Sequence, residues 1–303
     1  MTFGASPEPR PTKNQRREAA REKARELRVQ QKKKDRRNKA LLQSGIAVGI
    51  VAVIAVISLI VVNSFRPEGP GPANMASDGI LIGEGLVAVR TPALAADAKP
   101  IPSQPDESGA VADIRVWVDY LCPYCGDFER TNSEQIQGWL ESGAATLEVH
   151  PLATQTSKSA GTKYSLRAAN AAACVANYSP DDFFVFNSAM FIDQPQENTA
   201  ALNNDEIKQR IKDAGVSNLG KINTCIDDET YKGWVLDATD RALVGPLPNT
   251  ELEKVSGTPT VLVNGMQYIG SLEDPKEFAA FVQQATGQTY STATPTPAPA
   301  PAG

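Results

Sequence analysis

Hydrophobic and polar positions follow three regimes along the chain. Leu41–Val62 is 22 residues of almost unbroken apolar sequence, interrupted only by Gln43, Ser44 and Ser58, and no charge occurs from Ala40 to Phe65. About 20 apolar residues span a hydrocarbon core, so this run predicts a transmembrane helix over 41–63. Period-two patterning appears next: Ile114, Val116 and Val118 alternate with Arg115, Trp117 and Asp119, the signature of a strand. The mixed polar and apolar stretch that follows, as far as Trp139-Leu140, predicts a helix, and Ala145–Pro151 a second strand. A long helical regime succeeds it: Lys163–Tyr178, Asp181–Phe191, Asn204–Ala214 with an Asn/Asp start and Gly215 at its end, Leu219–Ile226 and Thr230–Leu243. Strand character returns at Pro259–Val263 and Gln267–Ile269, joined by Asn264-Gly265, a strong hairpin signal. Lys276–Ala285 predicts a last helix.

The regions between are compositionally distinct. Segment 64–110 is rich in Pro, Gly, Ala and Ser and reads as a linker, with Gly79–Gly83 or Gly85–Val89 as a candidate edge strand. Residues 289–303 form a Pro-rich tail expected to be disordered. The remaining order, strand, helix, strand, helices, strand, strand, helix, is a thioredoxin-like α/β fold over 111–288 with an all-helical subdomain inserted at about 155–250.

Charge orients this plan. Residues 1–40 carry 14 Lys+Arg against 5 Asp+Glu, whereas 64–303 carry 16 against 30. A basic segment before an apolar span places the amino terminus in the cytoplasm and the acidic remainder outside. That acidity argues against nucleic acid as a partner. A cleaved signal peptide fits poorly, because the basic segment and the apolar run are both too long and no small-x-small site follows directly. All four cysteines lie on the outer side, where disulfides persist.

The chemistry concentrates in Cys122-Pro123-Tyr124-Cys125. Two cysteines with two residues between them, at a strand-to-helix junction, form a redox-active pair. Cys122 falls at a helix amino terminus, where free N–H groups and the macrodipole favour a thiolate. With 122 and 125 paired, Cys174 and Cys225 remain for a second disulfide. A structural staple of the helical block is the expected role, and a second redox pair is the alternative. A zinc site is not expected, since one histidine and two distant cysteines give poor ligand spacing. His150, the only histidine, and Trp117, Trp139 and Trp234 read as structural.

Asp119–Phe128 (DYLCPYCGDF) together with Ser256–Gly265 (SGTPTVLVNG) resembles the membrane-anchored bacterial DsbA-like thiol:disulfide oxidoreductases, over roughly residues 111–288. The Pro-Tyr dipeptide is shared with glutaredoxins, which lack the insertion and the anchor. The resemblance implies that Cys122 exchanges disulfides, that Cys125 is its buried partner, and that Pro123 and Tyr124 tune the pair. It further implies that Thr258-Pro259 is a cis-proline loop that faces the motif and binds substrate backbone. No cofactor is implied. The implied partners are exported cysteine-containing proteins and a quinone-linked membrane reoxidase. A buried acid often stands six residues before the first cysteine in such proteins; here Val116 stands there. Asp119 lies nearer, at a strand end where solvent is its expected surroundings. An isomerase or reductase role, and a non-catalytic chaperone or peptide-binding role, remain open alternatives.

Overall fold

The computed structural model describes residues 69–106 and 110–292, together with scattered helical positions between 21 and 34. The chain divides into two units, Met1–Pro67 and Glu68–Gly303, and only the second is described in detail. The predicted membrane span at 41–63, most of the basic segment 1–40 and residues 293–303 lie outside the described residues. Among the described residues no helix is long and apolar enough to cross a membrane.

A five-stranded sheet runs in the order β1-β3-β2-β4-β5, with β1 Ile80–Ile82, β2 Ala112–Val118, β3 Ala145–Pro151, β4 Thr260–Val263 and β5 Met266–Gln267. β2 and β3 are parallel, and every other pairing is antiparallel. Helix α1, Pro123–Glu141, makes the crossover from β2 to β3. Between β3 and β4 lie α2 Tyr164–Tyr178, α3 Phe183–Phe191, α4 Asn204–Asp213, α5 Leu219–Asp227 and α6 Lys232–Val244, and α7 Pro275–Thr292 closes the fold. The helix boundaries follow their end signals. α4 begins with a capping box between Asn203 and Glu206 and stops at Gly215, whose φ of 79° suits a left-handed helix end. Asn264 and Gly265 both take positive φ in the β4–β5 turn, as a tight hairpin requires.

One sheet face is aliphatic. Ile114, Val116, Leu147, Val149, Val261 and Val263 pack with Phe128 of α1 and Phe278 of α7 in the main core. The alternation in β2 marks two differently furnished faces and not one wet face, because all seven of its residues are buried. On the second face Arg115 lies opposite Glu148, and Trp117 opposite His150. The Arg115 Nε donates to Asp113 at 2.9 Å, and the Trp117 and His150 rings stack at 4.5 Å.

The segment expected to be a linker covers this face. Ser77 and Ser103 donate hydroxyl hydrogens to Glu148 at 2.5 and 2.6 Å, and Arg115 Nη2 donates to the Ser103 carbonyl at 3.2 Å. Met75, Ile80 and Ile82 are buried, each contributing roughly 1.5–3 kcal/mol over an exposed side chain. Asp78 pairs with Arg241 of α6 at 2.7 Å. Residues 69–106 therefore belong to the domain. Of the two candidate edge strands, Ile80–Ile82 pairs with β3, whereas Glu84–Leu86 is a 3-10 turn in which Gly85 has φ 68°. The final helix also runs further than expected, so residues 289–292 are helical and not part of a disordered tail.

The helical block is bolted internally. Twelve of the fifteen residues of α2 are buried, half of them alanines that let neighbouring helices approach. Cys174 of α2 is bonded to Cys225 of α5, with an S–S distance of 2.00 Å.

Candidate active site

β2 ends at Val118, and residues 119–122 turn the chain into α1. Cys122 is the N-cap of that helix in extended backbone conformation, with Pro123 at the first helical position, where its missing N–H removes no helix bond. The Cys122 carbonyl accepts from the N–H groups of Cys125 and Gly126 at 3.1 and 3.3 Å. Cys122 and Cys125 are both free thiols. Pro123 and Tyr124 face solvent between them, and Tyr124 is 63% exposed.

The Thr258–Pro259 peptide bond is cis and stands against the motif: the Cys122 Sγ–H donates to the Thr258 carbonyl at 3.1 Å. Two segments 136 residues apart in sequence thus meet at one sulfur. Cys174 and Cys225, fully committed to each other, take no part in this contact.

The two sulfurs sit in opposed electrostatic settings. The Cys122 thiol is brought down from 9.0 to about 6, chiefly by a hydrogen bond from Cys125, against burial that pushes it up. The Thr258 side chain and the backbone N–H groups of Cys125 and Tyr124 add to the lowering, as expected at a helix start. Burial drives Cys125 the other way, well above the ordinary thiol range, and the neighbouring Cys122 sulfur adds to the rise. One sulfur is a thiolate at neutral pH while the other keeps its proton, the asymmetry that disulfide exchange needs.

Asp119, expected at a solvent-facing strand end, is fully buried behind the motif. Its N–H points at Cys125 Sγ at 3.4 Å. Its carboxylate accepts from Leu121 N–H at 2.9 Å, Thr154 hydroxyl at 3.0 Å, Gln155 N–H at 2.8 Å and Ser165 hydroxyl at 2.6 Å. Burial raises its pKa, while these four donors oppose the rise. Val116 packs in the aliphatic core. The acid nearest Cys125 is thus supplied from the turn and not from the strand.

Sequence reasoning also missed Gln194. This residue follows α3 and donates from Nε2 to the carbonyls of Tyr120 and Cys122, each at 2.9 Å. A glycine at 126, in the first turn of α1, is the only local trace of it, since an added Cβ there would meet Gln194 Oε1 at 2.2 Å. Among the described residues no group of three metal-ligating side chains comes together.

This geometry has known counterparts. A family model described as thioredoxin matches residues 107–284. No curated protein matches the chain significantly. Among solved structures, the reduced form of the disulfide bond oxidoreductase DsbG from Mycobacterium tuberculosis is 28% identical, covering 72% of this chain and 95% of that one, with a TM-score of 0.51. Reduced DsbA from the same organism is 28% identical over 72% of this chain and 100% of that one, at 0.50. BdbD from Bacillus subtilis, at 18% identity and 0.50 over 73% of this chain and 98% of that one, shares the fold. With the family model spanning more than half its length and the dithiol at the helix start where such a fold carries it, the chain belongs to the thioredoxin family.

Proposed function

We propose that this chain is a membrane-anchored, extracytoplasmic DsbA-like thiol:disulfide oxidoreductase that forms disulfides in exported proteins. The observation that carries the reading is the Cys122 sulfur at the start of α1, against the Thr258 carbonyl, with Cys125 buried behind it. A substrate thiolate attacks Cys122 Sγ of the oxidised pair. The Cys122–Cys125 bond breaks, and Cys125 takes the electron pair and then a proton. A second substrate thiolate attacks the substrate sulfur of the mixed disulfide and displaces Cys122 as a thiolate. The substrate loses two electrons and two protons, and the enzyme is left reduced. A quinone-linked membrane protein takes those electrons away.

Thiolate stability gives the reaction its direction. The drop from 9.0 to about 6 at Cys122 corresponds to about 4 kcal/mol as an upper bound, less the screening by water at the open mouth of the site. The cis Thr258–Pro259 loop offers a backbone carbonyl to a substrate segment lying alongside it. The outer location rests on the apolar run Leu41–Val62 behind a basic segment, and on the Cys174–Cys225 bond, which is at home in an oxidising compartment.

The test uses the full chain in detergent, oxidised, with a reduced two-cysteine peptide. Stoichiometric oxidation that disappears in Cys122→Ser supports the proposal. A reduction potential near the −270 mV or so of thioredoxin, with no net oxidation, overturns it in favour of a reductase, and a scrambled-disulfide refolding assay identifies an isomerase. Survival of function in Cys122→Ser points to a peptide-binding module. Protease access to the 68–303 unit in intact cells tests the location.

A further inference from the structure

We propose that Gln194 is a positioning residue of the redox centre: its carboxamide ties the Tyr120 and Cys122 carbonyls and makes the inserted helical block part of the exchange site. The inference rests on the oxidoreductase reading and concerns how this chain holds its thiolate. Both Nε2 hydrogens are used, one on each carbonyl, at 2.9 Å. The Cys122 carbonyl also accepts from Cys125 and Gly126 N–H, so three donors converge on the peptide group next to the reactive sulfur. Cys122 is the N-cap of α1, so fixing its carbonyl fixes where its sulfur stands against the Cys125 and Tyr124 N–H groups that favour the thiolate.

Gln194 does not reach the turn by chance. Arg210 of α4 gathers the carbonyls that precede it, donating from Nη1 to Met190 at 3.3 Å and Ile192 at 2.5 Å, and from Nη2 to Asp193 at 3.3 Å. Asp193 takes φ 46°, the left-handed region that Asp enters more readily than most L residues. Arg130 of α1 donates to the Phe191 carbonyl from the other side at 3.4 Å. Gly126 completes the fit. Helix interiors disfavour glycine, yet a Cβ there would meet Gln194 Oε1 at 2.2 Å and Arg130 Nη1 at 2.6 Å. The path from α4 through Arg210, the 190–193 carbonyls and Gln194 to Cys122 is continuous.

The test is the pH profile of the Cys122 thiolate, read by ultraviolet absorbance and by iodoacetamide alkylation of the reduced full chain in detergent. Gln194→Met keeps the shape and removes both donors. Its midpoint should rise from about 6 by roughly half a unit to one unit, slowing alkylation at pH 6 about two- to fivefold. Gly126→Ala displaces the carboxamide and should give a similar rise, and the double variant no further rise, because both changes remove one interaction. A packing role alone would lower the melting temperature and leave the midpoint in place. An unchanged midpoint in folded Gln194→Met, or additive shifts, overturns the proposal; if Gln194→Met does not fold, Gly126→Ala alone decides by the same criterion. The readout needs no substrate, so an unchanged midpoint in a chain that still oxidises reduced peptide fails this inference alone, whereas inertness toward reduced peptide fails the proposed function.

Discussion

Replacing Cys125 by alanine tests how the Cys122 thiolate is held. The Cys125 thiol donates to the Cys122 sulfur, and this is the largest influence bringing Cys122 from 9.0 to about 6. A hydrogen bond to a charged group contributes about 1.5–3 kcal/mol, or about one to two units at 1.4 kcal/mol per unit. Water at exposed Pro123 and Tyr124 screens part of it, so the lower end applies, and the midpoint in Cys125→Ala should lie about one unit higher, near 7. Cys125→Ser keeps a donor and should stay close to wild type. The assay is the alkylation rate against pH for the reduced chain. A Cys125→Ala midpoint at or below the wild-type one, or equal shifts in the serine and alanine variants, would assign the stabilisation to the start of α1 and refute the sulfur-donor account.

The same titration fixes how the reduced chain responds to pH. A pKa depressed on folding contributes stability that is complete above 9.0 and is lost as pH falls through about 6. Near neutrality the contribution is at most about 1.4 kcal/mol, one unit above the folded midpoint. Urea denaturation of the reduced chain should show it gaining stability relative to Cys122→Ala between pH 5 and pH 8. Cys125→Ala should move that gain upward in pH, and a flat difference would contradict the lowered midpoint.

Three further outcomes follow from the structure. Cys174→Ser/Cys225→Ser should lose about 4 kcal/mol in urea denaturation, since its bond closes a 51-residue separation, and should still oxidise a reduced peptide; parallel loss of activity would mean a redox role for the pair. Asp119→Asn turns an amide N–H2 toward the Leu121 or the Gln155 N–H, neither of which can accept, destabilising by about 1–3 kcal/mol. It should also lower the Cys125 pKa, because the Asp119 charge adds to its rise, an effect read as faster modification of the second thiol at high pH. Glu148 is pushed up by burial, yet the charges of His150 and Arg115 and the Ser103 hydroxyl bring it down to about 2. Its contribution is present above 4.5 and lost as pH falls toward 2, about 3 kcal/mol in all, so Glu148→Gln should flatten the acid limb of the stability profile.

The legible parts of this chain are those whose cause is local. The Cys122 pair, the Asn204 start and Gly215 end of α4, and the Asn264-Gly265 hairpin each depend on a few neighbouring residues, and each stands where its signal puts it. Asp119 was misread because nothing beside it announces its partners. Thr154 and Gln155 come from the turn after β3, and Ser165 from α2, 35 to 46 residues away. A lone carboxylate at a strand end looks solvent-bound until three distant donors close over it. Gln194 is illegible for the same reason, 72 residues from the carbonyl it holds.

The misread linker follows from a different limit. Pro, Gly, Ala and Ser in 69–106 signal little regular structure, and little is found: three strand residues and one 3-10 turn. Lack of regular structure is not lack of burial. Arg115, Asp113 and Glu148 point to the second face of the sheet, and buried charges persist only when paired and hydrogen-bonded. Ser77, Ser103 and the Ser103 carbonyl supply those bonds, and small or kinked residues suit a chain that must lie flat over a sheet while offering hydroxyls and carbonyls downward. The clue was in β2 all along. A strand that alternates Ile, Val and Val with Asp, Arg and Trp either faces water on one side or requires a polar cover, and Trp117 in the polar row argues against water. An irregular segment upstream of such a strand is therefore a candidate lid for its second face, and here the sheet is complete only with that segment in place.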